Sequence, residues 1–193
     1  MLVGLTGNFG AGKSTVLKMF GRSGAITADA DEIVSGLYKR DDIKRSVINL
    51  LGNVRKDNGN IDKDKISKII FNNKELKGQL EALLHPYVFS EIVSLNKKYP
   101  GNTVVVEIPL LFETGYRTKV DVVILVHCRR STIFGRLRKK GYSDSEIEER
   151  LSRQMPDSEK TDHADYIINT DKNIEAIEEE VKMIYNSLKE KKK

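Results

Sequence analysis

The run Gly7-Asn8-Phe9-Gly10-Ala11-Gly12-Lys13-Ser14 satisfies the pattern G-x-x-x-x-G-K-[ST] in full. Each residue type contributes something specific there. Glycines let the main chain curl so that successive N–H groups point inward, which suits a phosphate carrying several acceptor oxygens. A helix beginning directly after the glycines adds the positive end of its dipole. Lys13 can bridge the β- and γ-phosphates of a nucleoside triphosphate, and the Ser14 hydroxyl can ligate Mg²⁺. Gly7, Asn8, Gly10, Ala11, Gly12, Lys13, Ser14 and Thr15 are therefore the candidate nucleotide-binding residues, with ATP and Mg²⁺ as the expected cofactors. The apolar run "MLVGLT" before the glycines and the helical pattern after them supply the strand–loop–helix context that this chemistry needs.

Three further groups could act on a bound triphosphate. Asp29 and Asp31, in "DAD", follow a short apolar strand and so fall at the carboxyl edge of a sheet, where ligands of open α/β folds bind. A carboxylate there can take the proton of an acceptor hydroxyl or hold Mg²⁺ through water; alternatively it caps the next helix. Asp29, directly before "ADEIV", suits the cap, and Asp31 suits the catalytic group. The second group is the basic stretch from Arg129 to Lys140, followed by the helix pattern "SDSEIEERLSRQM". A short basic helical pair at this point fits a closing lid whose arginines neutralise charge on a transferred phosphoryl group, with Arg136 and Arg150 as the candidates. Third, Glu107 ends the apolar run "VVVEI" and could support Mg²⁺ through water. The tetrapeptide "TKVD" (118–121) matches a guanine-reading pattern, but Asp121 opens a strand rather than following one, so a GTPase is not indicated.

These residues need a scaffold. Strands are expected at 1–6, 25–28, 103–108, 121–127 and 166–169, mostly as continuous β-branched runs of the kind found in parallel sheets covered on both faces. Helical patterns separate them. One, at 13–24, carries Val16, Leu17 and Phe20; another, near the chain's end, sets Ile174, Ile177, Val181, Ile184 and Leu188 on one stripe. The expected fold is α/β: a three-layer P-loop NTPase fold with a five-stranded parallel sheet, a helical substrate-binding insertion and a helical lid. Its nucleotide-binding core would comprise 1–31 and 102–193, the lid about 129–160 and the insertion 32–101, all in one folding unit. Within the insertion "RKDNGNID" reads as a turn, and Leu76, Leu80, Leu83 and Leu84 as a helix packing face.

Composition narrows the partners. A chain of 193 residues with 39% hydrophobic content can bury one good core but not two ordinary domains. It has no apolar run near the ~18 residues of a membrane span and no secretory leader pattern, so a cytoplasmic protein without membrane contact is expected. The single cysteine, Cys128, excludes an intrachain disulfide and reads as a core residue. The net charge of +5 derives partly from the tail "KEKKK" at 189–193, which reads as a frayed helix end. Nucleic-acid binding would call for a basic stripe with interleaved aromatics, whereas there is no tryptophan and the tyrosines are scattered; an anionic small ligand explains the charge equally well, and no nucleic-acid partner is expected. A monomer or weak homo-oligomer is expected.

Taken in order, "GLTGNFGAGKSTV", "DADEI", "LEALLHPYV", "EIPLLFE", "RQMP" and "ADYIIN" resemble the dephospho-CoA kinase family over essentially the whole chain. The last four of these motifs are not general to phosphate-loop proteins. The resemblance implies transfer of the ATP γ-phosphoryl to the ribose 3′-hydroxyl of dephospho-CoA, with Asp31 as general base, the insertion as the CoA domain, and 129–160 as the lid. It also makes Asp29, His85 and Pro109 candidate substrate contacts. Read without it, His85 before Pro86 in an apolar helix is a structural pair, with the proline breaking or kinking the helix. Three features depart from the family pattern: Glu107 stands where relatives often carry Asp or an apolar residue, Lys140 where an arginine is usual, and "HCRRS" (127–131) lacks the acidic or proline-containing turn common after that strand. The other enzyme class compatible with the motifs is a nucleoside monophosphate kinase, and the non-enzyme class a nucleotide-dependent switch.

Overall fold

The computed structural model describes residues 1–71 and 73–191. Five strands, β1 (Leu2–Thr6), β2 (Ile26–Asp29), β3 (Val104–Glu107), β4 (Val122–His127) and β5 (Tyr166–Asn169), form one parallel sheet in the order β2-β3-β1-β4-β5. Each expected strand is present, within one or two residues of its expected ends. The central strands are buried on both faces, as their continuous apolar runs require. β2 and β5 are not: they lie at the two edges, and Ile167 of β5 is 40% exposed.

The chain divides into two compact units, one of Met1–Asp29 with the chain from Asn96 onward, the other of Ala30–Leu95. In the first, Val3, Leu5, Val105, Ile124, Val126 and Ile168 point to one face of the sheet. They pack there against Val16, Met19 and Phe20 of α1 (Lys13–Arg22) and Ile177, Val181 and Leu188 of α9 (Ile174–Glu190). On the opposite face, Gly4 lets Leu111 and Val120 of the β3–β4 connection lie flat on the strand: a Cβ built on Gly4 would meet Leu111 Cδ1 at 2.3 Å. The α9 stripe holds except at its first member. Ile174 is 48% exposed, because it opens the helix just after the Asn173 cap, one turn short of the sheet-facing stretch. The tail pattern at 189–193 is described only to residue 191, and 192–193 lie outside the described residues.

Three helices follow β4: α6 (Arg130–Arg138), α7 (Asp144–Ser152) and α8 (Asp157–Thr161). Ser143 and Glu146 form a reciprocal capping box at the start of α7. That helix is shorter than its sequence pattern suggests. It ends at Ser152, so Gln154 and Met155 sit in the connection rather than on the helix.

The second unit contains α2 (Ala30–Leu37), α3 (Asp41–Leu51), α4 (Lys63–Phe71) and the long α5 (Lys74–Lys98). The "RKDNGNID" turn closes with an antiparallel bridge between Arg55 and Ile61. Leu80, Leu84, Val88 and Ile92 of α5 are buried at steps of one helical turn, whereas Leu76 and Leu83 are only half-buried. The helix runs through Pro86 instead of breaking there; that residue is exposed, where a lost main-chain donor is least costly.

Candidate active site

The glycine-rich loop connects β1 to α1. Its main chain folds on itself, with Ala11 N donating to Asn8 O at 3.1 Å and Thr15 N and Val16 N to Gly12 O. Two glycines are required by geometry. Gly12 caps α1 in the left-handed region at φ 101°, with no side-chain cap and no acid in the helix's first turn, so the positive helix end faces the loop uncompensated. Gly7 has φ 147°, and a Cβ there would lie 2.1 Å from the carbonyl oxygen of Val126 on β4. Gly7→Ala is therefore expected to cost at least ~2 kcal/mol through backbone strain and the shift of a core strand. Thermal unfolding should register this as a melting point lower by roughly 4–8 °C.

Lys13 is 8% exposed and its ammonium lies within the loop, donating to the carbonyls of Gly7 at 3.0 Å and Asn8 at 3.2 Å. Ser14 and Thr15 are exposed at the mouth of the loop. Ser14 Oγ is 3.5 Å from Oε1 of Glu107, which is 6% exposed at the end of β3. The parallel register sets Asp29 beside Glu107 on the neighbouring strand, so two acids end adjacent strands. Thr6, ending β1, donates its hydroxyl to the carbonyl of Pro109 at 3.4 Å. Asp31 is the second residue of the second unit, two residues beyond the end of β2 and exposed in the first turn of α2. His85, half-buried in mid-α5, belongs to that unit as well.

Arg136 meets the loop from α6. Its Nη1 donates to Ala11 O at 3.1 Å and to Thr170 Oγ1 at 3.0 Å, and its Nη2 to Thr170 O at 2.6 Å. Thr170 in turn donates its hydroxyl to Ala11 O at 2.6 Å. A planar, rigid fork suits this cluster of carbonyls, and it holds the guanidinium beside Gly12. Arg150 of α7 lies over two rings at once, 5.0 Å from the Phe9 centroid and 5.1 Å from that of Tyr142. Phe9 and Tyr142 themselves meet edge to face at 5.3 Å. Gln154, just past α7, accepts from Phe9 N at 2.7 Å. The basic helical pair is thus tied to the tip of the loop by stacking and by a main-chain hydrogen bond.

Five residues escape sequence reasoning as site residues: Thr170, Glu113, Lys160 and the pair His127–Asp157. Lys160 is fully buried and donates to Asn8 Oδ1 at 2.8 Å. In "DSEKTD" such a lysine reads as a solvated charge, and nothing local in the sequence signals otherwise. His127 Nδ1 lies 2.7 Å from Asp157 Oδ2 at the wall of a cavity of about 680 Å³ that also borders Asn8, Arg130, Leu151 and Gln154. Nearby, the Thr132 hydroxyl and the Arg129 N–H hold the Asp171 carboxyl below the usual carboxylate range. Burial pushes the Cys128 thiol up, in keeping with a core residue rather than a nucleophile. The "TKVD" aspartate serves the fold, since Asp121 Oδ2 accepts from Leu2 N at 2.7 Å and joins β4 to the start of β1.

Among the described residues, no set of three or more His, Cys, Asp or Glu side chains could hold a metal ion. Mg²⁺ bound with a nucleotide does not need one, since phosphates and waters supply most of its octahedron. The Ser14 hydroxyl with Glu107 behind it fits such an ion. Among the described residues, no helix is long and apolar enough to cross a membrane.

The family model described as "CoaE: Dephospho-CoA kinase" matches residues 1–176. The chain is 34% identical over 189 residues to a dephospho-CoA kinase of Aquifex aeolicus (strain VF5), with 96% of each chain covered. Among solved structures, a Thermus thermophilus protein superposes with a TM-score of 0.86 at 27% identity, covering 97% of both chains. Dephospho-CoA kinase from Campylobacter jejuni superposes at 0.72 with 25% identity, covering all of this chain and 98% of that one. The likeness therefore extends from the phosphate loop through the helical second unit to α9, and the chain belongs to the dephospho-CoA kinase family.

Proposed function

We propose that this protein transfers the γ-phosphoryl group of ATP to the 3′-hydroxyl of the ribose of dephospho-CoA, giving coenzyme A and ADP. The observation that carries this reading is the end-to-end family kinship of a chain whose phosphate loop is fully formed, with Lys13 buried at its centre. The loop N–H groups and the α1 terminus bind the β-phosphate. Lys13 exchanges the Gly7 and Asn8 carbonyls for β- and γ-phosphate oxygens. Ser14 would hold Mg²⁺, with Glu107 reaching it through water, and the ion would neutralise phosphate charge. The acceptor oxygen attacks the γ-phosphorus as the bond to the β-phosphate bridging oxygen breaks, and the hydroxyl proton passes to Asp31. Asp29 and Pro109, at strand ends, and His85, in the helical unit, contact the acceptor. The segment 129–160 acts as the lid, in which Arg136 and Arg150 offset charge on the transferred group while water is excluded. The enzyme works in the cytoplasm as a monomer or weak homo-oligomer, without nucleic acid.

Purified protein supplied with ATP and Mg²⁺ is expected to release ADP with dephospho-CoA and not with AMP, CMP or shikimate, and to stop when EDTA is added. Turnover of a nucleoside monophosphate without turnover of dephospho-CoA would replace this reading with a nucleotide kinase.

A further inference from the structure

The most unusual group outside the phosphate loop is the fully buried ammonium of Lys160 on α8. A charge removed from water requires close partners. Among the described residues Lys160 has two: Glu113 Oε1 at 3.5 Å and, closer, the neutral side-chain oxygen of Asn8 at 2.8 Å. Glu113 is shared, because the same oxygen accepts from Met155 N at 2.8 Å. The cation's shortest bond thus goes to the second residue of the phosphate loop, 152 residues away in the chain. Asn8 is held on its other side by Lys13, which donates to its main-chain carbonyl at 3.2 Å. Two lysines therefore grip one loop residue, Lys13 by the main chain and Lys160 by the side chain.

We propose that Lys160 is a positioning residue for the phosphate loop, keeping the Asn8 turn in its binding shape when Lys13 moves from the loop carbonyls onto the phosphates. Asn8 O also accepts from Ala11 N, so the turn that aims the Gly10–Gly12 N–H groups depends on where Asn8 sits. Once Lys13 transfers, that carbonyl loses a cation, and the Asn8 side chain still has one. Lys160, the last residue of the lid segment, can keep this contact because its ammonium is fully buried, and Glu113 links it to the main chain at Met155. The inference rests on the phosphate loop binding ATP, as the proposed function requires.

The test measures ATP binding by calorimetry in wild type, Asn8→Ala, Lys160→Met and the double variant, with a melting curve and steady-state kinetics for each. Asn8→Ala should weaken ATP binding about tenfold and, because it leaves the buried ammonium with Glu113 alone, lower the melting point by a few degrees. Its KM for ATP should rise while that for dephospho-CoA stays put. Lys160→Met should weaken ATP binding about as much, and the double variant no more than the worse single one, because both delete the same Asn8–Lys160 contact. Asn8→Ala binding ATP like the wild type, or losses that multiply in the double variant, would overturn the proposal and leave Lys160 as a structural partner of Glu113. Should Lys160→Met not fold, Asn8→Ala still decides the matter, since it deletes the contact and leaves the lysine in place. Wild-type protein that binds ATP without phosphorylating dephospho-CoA would sink the functional reading alone.

Discussion

Replacing Asp31 by asparagine is expected to lower kcat by about 10²–10⁴-fold, the range that general-base catalysis supplies. ATP affinity should stay within about twofold of the wild type, since the carboxylate is proposed to act on the acceptor and not on the nucleotide. The substitution keeps size and shape and removes the negative charge together with the ability to take a proton. Asp31 is exposed in the first turn of α2, where an acid favours the helix by only about 0.3–1 kcal/mol. Folding should therefore be nearly unaffected, and a melting curve separates a chemical loss from a structural one. Single-turnover phosphoryl transfer, measured beside ATP titration, gives both numbers. An Asp31→Asn enzyme that turns over at the wild-type rate would assign Asp31 to the helix terminus and place the base elsewhere, with Asp29 and Glu107 the acids to examine next.

Lys13→Ala should damage both binding and rate. Lys13 is the ammonium inside the loop, and its present partners are two carbonyls that a triphosphate would displace. Removing it takes away a cation at the β- and γ-phosphates and should reduce kcat by roughly 10²–10³-fold, the loss typical of deleting one preorganised transition-state donor. ATP affinity should fall as well, by about tenfold or more, because a charge-assisted hydrogen bond contributes roughly 1.5–3 kcal/mol. Lys13→Arg should not rescue it: the residue is almost fully enclosed, and a planar fork cannot reproduce a compact point charge there. Calorimetry with ATP and a coupled assay of ADP release test both halves. A variant that keeps wild-type kcat with only weaker ATP binding would restrict Lys13 to ground-state binding.

Much of the scaffold is legible in the sequence because its signals are local. Continuous β-branched runs mark the strands, and the 3.6-residue spacing of Val16, Phe20, Ile177, Val181 and Leu188 marks the faces that α1 and α9 bury. The capping box at Ser143 and Glu146 is readable for the same reason, since its partners lie three residues apart. Where a pattern outruns the structure, a helix terminus is the cause. Ile174 matches the α9 stripe but lies exposed at the helix start, and α7 stops at Ser152 though its pattern runs to Met155. Helix ends depend on caps and on the path of the following chain, which periodicity does not encode.

The phosphate loop, its lysine and its hydroxyls were determined by the sequence alone, because one short motif carries all the atoms that a triphosphate needs. Only the tertiary structure decided what surrounds that loop. The β2-β3-β1-β4-β5 order puts Glu107 behind Ser14 and Asp29 beside Glu107. It brings Arg136 and Thr170 to the Ala11 carbonyl, Gln154 to Phe9 N, and Lys160 to Asn8. Every one of these contacts joins residues far apart in the chain. A lysine in "DSEKTD" looks like any surface charge until the fold removes it from water, and its burial then requires a partner that no neighbouring residue could reveal.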